Sequence, residues 1–317
     1  MDVSSIASDS VLAWVAHRYA LQPPLASELI RAYTNDVFLV QTARGRCVLK
    51  VYGNGWRTEP EILYEVQLLE HLAAKGVLVA RAIAAKDHRP VQPFPTPAGS
   101  RFAVLFTYAA GAKPVPPFTP ALYEIEGRAA AAMHRAADDF VTAYHRRPMD
   151  LTYLLDHPAA LIQPLLEDPE ARRFFLGFVH QLRRAMHARA ARGLDWGPCH
   201  GDLTLDNFHI TADRRIVWYD FDSGGPGWRA GDLQGWAAIQ PEARARWEAF
   251  LRGYQDVRLL DPVNVEAAPY VTAAFDVWGM AVDLQQRIME QGTDATHQYL
   301  SESLDKLQPW ASHFGFS

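Results

Sequence analysis

The chain has 317 residues, 49% of them hydrophobic and 21% charged, a balance that supports one large domain or two lobes with separate cores and excludes a disordered polypeptide. Its 31 basic and 36 acidic side chains give a formal charge of −5, and the basic ones are scattered, so no electrostatic footprint for a nucleic acid partner is present. Cys47 and Cys199 are the only cysteines and supply neither a disulfide framework nor a metal-ligand spacing. Residues 1–10 lack the pattern of an export leader and no run reaches roughly 18 apolar residues, so the sequence predicts a cytoplasmic protein without a membrane span.

Apolar positions at helical spacing predict a helix over 10–21, stopped by Pro23 and Pro24. Three runs at 28–33, 37–42 and 46–52 are rich in β-branched and aromatic residues. They are separated by Thr34-Asn35-Asp36 and Arg44-Gly45, which predicts antiparallel strands joined by two tight turns. The segment 59–76 places Ile62, Val66, Leu69 and Leu72 on one helical face and ends at Gly76, a residue suited to a helix C-terminus. After a proline-rich stretch at 90–97, the run FAVLFTY at 102–108 reads as a further strand. The prolines of 112–120 then make a stiff connector, which divides the chain into an N-terminal lobe, 1–108, and a C-terminal lobe, 109–317. Helical patterns follow at 121–137, 157–192, 241–256 and 264–291, interrupted by one island of strand character at 198–221.

That island carries the chemistry. His200-Gly201-Asp202-Leu203-Thr204-Leu205-Asp206-Asn207 precedes a predicted hairpin that ends in Asp220-Phe221-Asp222. Phosphoryl transfer from a nucleotide needs a carboxylate to orient and deprotonate the attacking hydroxyl, and oxygen ligands that hold magnesium on the phosphates. One loop and one hairpin supply all three groups: Asp202 as base, with Asn207 and Asp220 as the hard oxygen ligands magnesium prefers. The competing reading makes Asp202 and Asn207 turn caps, and Asp220 and Asp222 a solvated strand end.

HGDLTLDN at 200–207 and YDFDSGGPGWRAGDL at 219–233 resemble the aminoglycoside phosphotransferase family, which includes choline kinases and type II homoserine kinases. More distantly they resemble protein kinases, and the likeness extends over most of the chain. The resemblance implies an α+β, protein-kinase-like fold: an N-terminal antiparallel sheet with a helix, and a larger, mainly helical C-terminal lobe. It implies ATP and Mg2+ as cofactors and a hydroxyl of a small molecule, such as an amino sugar or amino alcohol, as acceptor. By the same resemblance Lys50, the only lysine before position 75, contacts the α- and β-phosphates from the third strand. Glu65 on the next helix orients it, with Glu61 one turn earlier as the competing candidate.

Thr34 and Asn35 either approach the phosphates or simply close a hairpin. Backbone groups of Phe106, Thr107 and Ala109 are implied as the adenine contacts, and His200 and Asp232 as supports of the catalytic loop. The acceptor falls to the late helices, where Glu242, Glu266, Asp276, Asp283 and Glu290 are candidates to pair with ammonium groups. A Walker-type loop is absent, which argues against a P-loop enzyme. A protein kinase would use the same residues, but only eleven residues, 221–231, separate Asp220 from Asp232, too few for an activation loop. A pseudokinase that only binds nucleotide is disfavoured by the presence of Lys50, Asp202, Asn207 and Asp220 together.

Overall fold

The computed structural model describes residues 6–22, 24–292 and 296–316. In chain order the elements are α1 (Ser8–Arg18), β1 (Pro24–Ala32), β2 (Asn35–Thr42), β3 (Gly45–Tyr52), α2 (Glu59–Ala74), β4 (Gln92–Thr96), β5 (Gly99–Thr107), α3 (Pro120–Ala136), α4 (His157–Ile162) and α5 (Pro169–Ala190). They continue with β6 (Trp196–Cys199), β7 (Phe208–Ile210), β8 (Ile216–Trp218), β9 (Gly225–Trp228), α6 (Arg244–Gln255), α7 (Pro262–Gln291) and α8 (Thr296–Phe314). Contacts gather them into two compact units. The first comprises Met1–Pro114, Asp139–Arg146 and Thr204–Asp222; the second comprises Val115–Asp138, Arg147–Leu203 and Ser223–Ser317. Two later segments, Asp139–Arg146 and Thr204–Asp222, thus belong with the N-terminal residues in the first unit.

In the first unit a five-stranded antiparallel sheet has the order β1-β2-β3-β5-β4. Side chains alternate across it: Phe38, Val40, Leu49, Val51, Ala103 and Leu105 form one buried cluster with Val11, Trp14 and Val15 of α1. The opposite face carries Lys50, which lies in register between Val37 of β2 and Val104 of β5. β4 runs through the proline-rich stretch at 90–97, which carried no strand signal in the sequence. Pro93 and Pro95 are tolerated because this strand is at the sheet edge, where a missing N–H costs no inner ladder bond. The helix α2 starts at a cap in which the Glu61 carboxylate accepts from the Thr58 N–H and hydroxyl, both at 3.0 Å. Gly76 closes it with φ +86°, as its position predicts.

The second unit is mainly helical, and its core gathers on α7. Small residues let neighbours approach that helix closely: a Cβ on Gly235 would stand 2.3 Å from the Ala268 carbonyl. The helix expected over 157–192 is divided, because Pro164 and Pro169 each interrupt the hydrogen-bond ladder; α5 restarts after Asp168, whose carboxylate accepts from Glu170 N and Ala171 N. The sequence patterns end at 291, yet α8 follows, burying Leu300, Leu304, Leu307 and Trp310 along one face. β6 pairs with β9 here, whereas the β7–β8 hairpin belongs to the first unit. No described helix is long and apolar enough to cross a membrane. Among the described residues both cysteines are free and buried.

Candidate active site

The alternation of β3 turns Lys50 into the first unit, where its side chain is 6% exposed. Its Nζ donates to Asp220 Oδ1 at 2.7 Å and lies 3.6 Å from Glu65 Oε1. Burial by itself lowers a lysine pKa, but the carboxylates of Asp220, Glu65 and Asp222 outweigh it and raise Lys50 above its ordinary value. The ammonium is therefore charged at any physiological pH. Of the two glutamates on α2, Glu65 faces Lys50 and also accepts from Tyr52 Oη at 3.2 Å, while Glu61 is spent on the helix cap. Asp220 has φ +65°, a left-handed conformation that costs energy for a residue with a Cβ and recurs at functional sites.

These groups line a cavity of about 310 Å³ in the first unit, together with Asn207, Phe106, Thr107 and Ala109. Asn207 is buried, its N–H bonded to Thr204 O and its carbonyl accepting from Tyr219 N, so the β7–β8 hairpin fixes it beside Asp220. Part of the backbone expected to meet adenine is already engaged: Thr107 N donates to Arg81 O and Ala109 O accepts from His209 Nδ1 at 2.8 Å. Burial lowers the His209 pKa, which keeps the ring neutral with that nitrogen protonated. Tyr108, within the stretch expected to meet adenine, lines the cavity too; Arg31, Lys113, Asp206 and Tyr219 also line it and carried no signal in the sequence, since each looks there like an ordinary exposed polar position. Arg31 Nη1 stands 3.7 Å from Asp220 Oδ2, and Lys113 pairs with Asp206 at 3.1 Å.

Thr34 and Asn35 are not among the lining residues. The Asn35 amide donates to Asp222 Oδ2 at 2.7 Å, and its oxygen accepts from Gly53 N at 3.2 Å. Asp222 is correspondingly buried rather than solvated. Trp56 Nε1 also donates to Oδ2, at 2.6 Å, and Arg57 and Arg146 both donate to the Asp222 carbonyl. Burial would raise its pKa, but Lys50, Arg57 and Arg146 hold it well below the usual carboxylate range.

Asp202 stands on the loop after β6, in the second unit. The preceding Gly201 has φ +80°, and a Cβ there would come 2.6 Å from Ser223 O, so only glycine fits. Asp232 anchors this loop, accepting from His200 N at 2.7 Å and Gly201 N at 2.9 Å, while His200 Nδ1 accepts from Asp202 N at 3.3 Å. His134 of α3, whose pKa burial lowers, donates to Asp232 through Nε2 at 3.0 Å and meets Tyr254 Oη through Nδ1 at 2.8 Å. Burial would raise Asp232, yet the bonds from His134 and the loop keep it ionised. Of the acids proposed for the acceptor, Glu266 pairs with Arg189 and Arg192, Asp276 accepts from Trp310 Nε1, and Asp283 accepts from Tyr299 Oη. Glu242 is exposed, and the side chain of Glu290 lies outside the described residues.

A lysine buried between two acids, on the wall of a cavity that Asn207 also lines, is an arrangement suited to the phosphates of a nucleotide in a kinase-type phosphotransferase. The sequence model of the phosphotransferase enzyme family matches residues 27–269, and the chain belongs to that family, whose members act on hydroxyl groups of small molecules. A relative in Deinococcus radiodurans, itself of unassigned function, is 34% identical over 98% of this chain and 92% of its own length. A homoserine kinase of Xanthobacter autotrophicus is 26% identical over 74% of this chain and 72% of its own. Among solved structures, a microcompartment-associated aminopropanol kinase is similar with a TM-score of 0.76 at 20% identity, covering 98% of this chain and 99% of that one. An amicoumacin kinase gives 0.75 at 19%, covering 95% and 94%. Both share the kinase-like fold, and the protein-kinase alternative finds no support among these similarities.

Proposed function

We propose that the chain moves the γ-phosphate of ATP to a hydroxyl of a small amino alcohol, amino acid alcohol or amino sugar, with Asp202 as the base, in the cytoplasm. The observation that carries the reading is the burial of Lys50 between Glu65 and Asp220 on the wall of a cavity whose other lining residues include Asn207. A lysine on a strand is ordinarily a solvated edge residue; one desolvated against two carboxylates is a phosphate contact held in readiness. The cavity also fits the metal: the Asp220 carboxylate and the Asn207 amide oxygen are hard donors, and phosphates and water fill the remaining positions of such a site. A bound Mg2+ would neutralise charge on the β- and γ-phosphates. The names of the relatives support an acceptor carrying an amino group, since homoserine and aminopropanol both do.

The test is ATP consumption across homoserine, aminopropanol, choline, ethanolamine, aminoglycosides and macrolides, repeated with Asp202→Asn. Transfer should fall by roughly 10² to 10⁴ fold in the variant while nucleotide binding persists, because a general base touches the acceptor and not the nucleotide. Near-normal turnover in Asp202→Asn would remove that residue from the base role.

A further inference from the structure

We propose that Arg146 is the positioning residue of the nucleotide site: it ties α2 to the turn Asp220-Phe221-Asp222 and so fixes the two carboxylates that meet Lys50. The inference rests on the reading of Lys50, Glu65 and Asp220 as the phosphate site. It concerns what holds them there.

Arg146 comes from the short segment Asp139–Arg146, which lies outside every helix and strand and packs into the first unit. It is 2% exposed, a burial that an arginine accepts only when its donors are used. They are. Nη1 donates to the Glu61 carbonyl at 3.0 Å and lies 3.7 Å from Glu65 Oε2, so it holds one turn of α2 by backbone and by charge. Nη2 donates to the Asp222 carbonyl and reaches the Phe221 carbonyl at 3.5 Å. One planar guanidinium thus spans from the helix that carries Glu65 to the turn that follows Asp220.

Geometry decides why arginine is needed. The fork of a guanidinium fixes two directions at once, whereas an ammonium is a point charge with no fixed plane. Arg57 shares the turn, its Nε and Nη2 donating to the Asp222 carbonyl at 3.2 and 2.7 Å, but it is Arg146 whose Nη1 stands against the Glu65 carboxylate. Glu65 depends on the pair of Tyr52 Oη and Arg146 to present its other oxygen to Lys50. In kinases with an activation loop, such a helix is brought into place by a regulated segment. Here the link is built into the resting protein, so the site is set without a switch.

The experiment compares Arg146→Lys with Arg101→Lys. Arg101 is also well buried in the first unit, where it pairs with Asp36 and donates to the Tyr52 and Val51 carbonyls, but it touches neither Glu65 nor residues 220–222. Thermal midpoints and affinity for a fluorescent, non-hydrolysable ATP analogue with Mg2+ are measured for both. Both variants should melt earlier. Only Arg146→Lys should lose analogue affinity and, with an accepted substrate, kcat/KM by roughly 10² fold, the scale of loss that a displacement of about 1 Å produces. Arg146→Gln, which keeps one donor nitrogen and leaves no misplaced charge, should recover part of the affinity. Equal affinities in Arg146→Lys and Arg101→Lys at similar loss of midpoint would overturn the positioning role and leave the phosphotransfer reading standing. Failure of both Arg146 variants to fold would likewise show a purely structural staple. If the unaltered protein does not bind the analogue, the reading of the site itself fails.

Discussion

At the scale of single residues, buried acids such as Asp222 and Asp232 stand beside cationic or N–H groups that hold them ionised, whereas Glu126 has a single amide donor and is held protonated. It is fully buried on α3; Gln234 donates to its Oε1, and Oε2 has no partner among the described residues. Burial pushes the carboxyl from its ordinary 4.5 up to about 8, against the smaller lowering effect of the Gln234 bond. The sign follows from linkage. Between those two values the folded protein keeps a proton that the unfolded chain releases, so stability falls as pH rises from about 4.5 to about 8 and is flat beyond. The loss is on the order of a few kcal/mol. Glu126→Gln, which keeps an acceptor for Gln234, should melt with little dependence on pH over that window and melt later than the parent at pH 8; parallel pH profiles would show that Glu126 ionises freely in the fold. Asp220→Ala bears on the metal instead. It deletes the anionic ligand, so magnesium-dependent nucleotide affinity should drop along with transfer, and an unchanged magnesium titration would remove Asp220 from the metal site.

At the scale of elements, what was legible in sequence was whatever period and spacing encode locally. The strands β2 and β3 and the helix α2 were read within about two residues of their observed bounds, because alternation, helical spacing and turn chemistry act over a few residues, and Lys50 and Asp220 are found side by side. The choice between Glu61 and Glu65 needed the resemblance, and the Thr58 cap explains it: only one of two glutamates a turn apart is spare. What stayed hidden was set by distant partners. Arg146 meets Glu61 from 85 positions away and Asp222 from 76, and β4 exists as a strand only because β5 offers it an edge. The α3–α6 crossing is of the same kind. A Cβ on Gly253 would stand 2.0 Å from Glu124 O, and one on Gly127 would stand 2.0 Å from Phe250 O, so backbone meets backbone. In a free helix Gly→Ala gains about 1 kcal/mol. Here Gly253→Ala should instead destabilise by roughly 1–3 kcal/mol, because neither carbonyl can yield without moving a helix. It should also weaken transfer, since Tyr254 beside it bonds His134 and, through Asp232, the Asp202 loop. A higher melting midpoint in Gly253→Ala would show that the crossing gives way freely.

At the scale of the whole molecule, the question is which acceptor such a chain can serve. A peptide acceptor needs a platform, and in protein kinases the segment after the metal-binding aspartate supplies it and is ordered by phosphorylation. Here every stretch of that segment is already committed: Phe221–Ser223 and Arg229–Leu233 form tight helical turns, and Gly225–Trp228 is β9, paired with β6. Gly224 packs so closely on the catalytic loop that a Cβ there would lie 2.4 Å from Cys199 O, which leaves no slack to extrude a loop. With a net charge of −5, the surface also favours cationic metabolites over acidic ones. Incubation with labelled ATP, Mg2+, a metabolite pool and a denatured cell-protein extract should therefore place label on small molecules, most strongly on those carrying an amine beside a hydroxyl. Chelation should stop the transfer and added Mg2+ restore it. Label that accumulates on proteins would overturn the small-molecule acceptor while leaving phosphotransfer, and the site that performs it, in place.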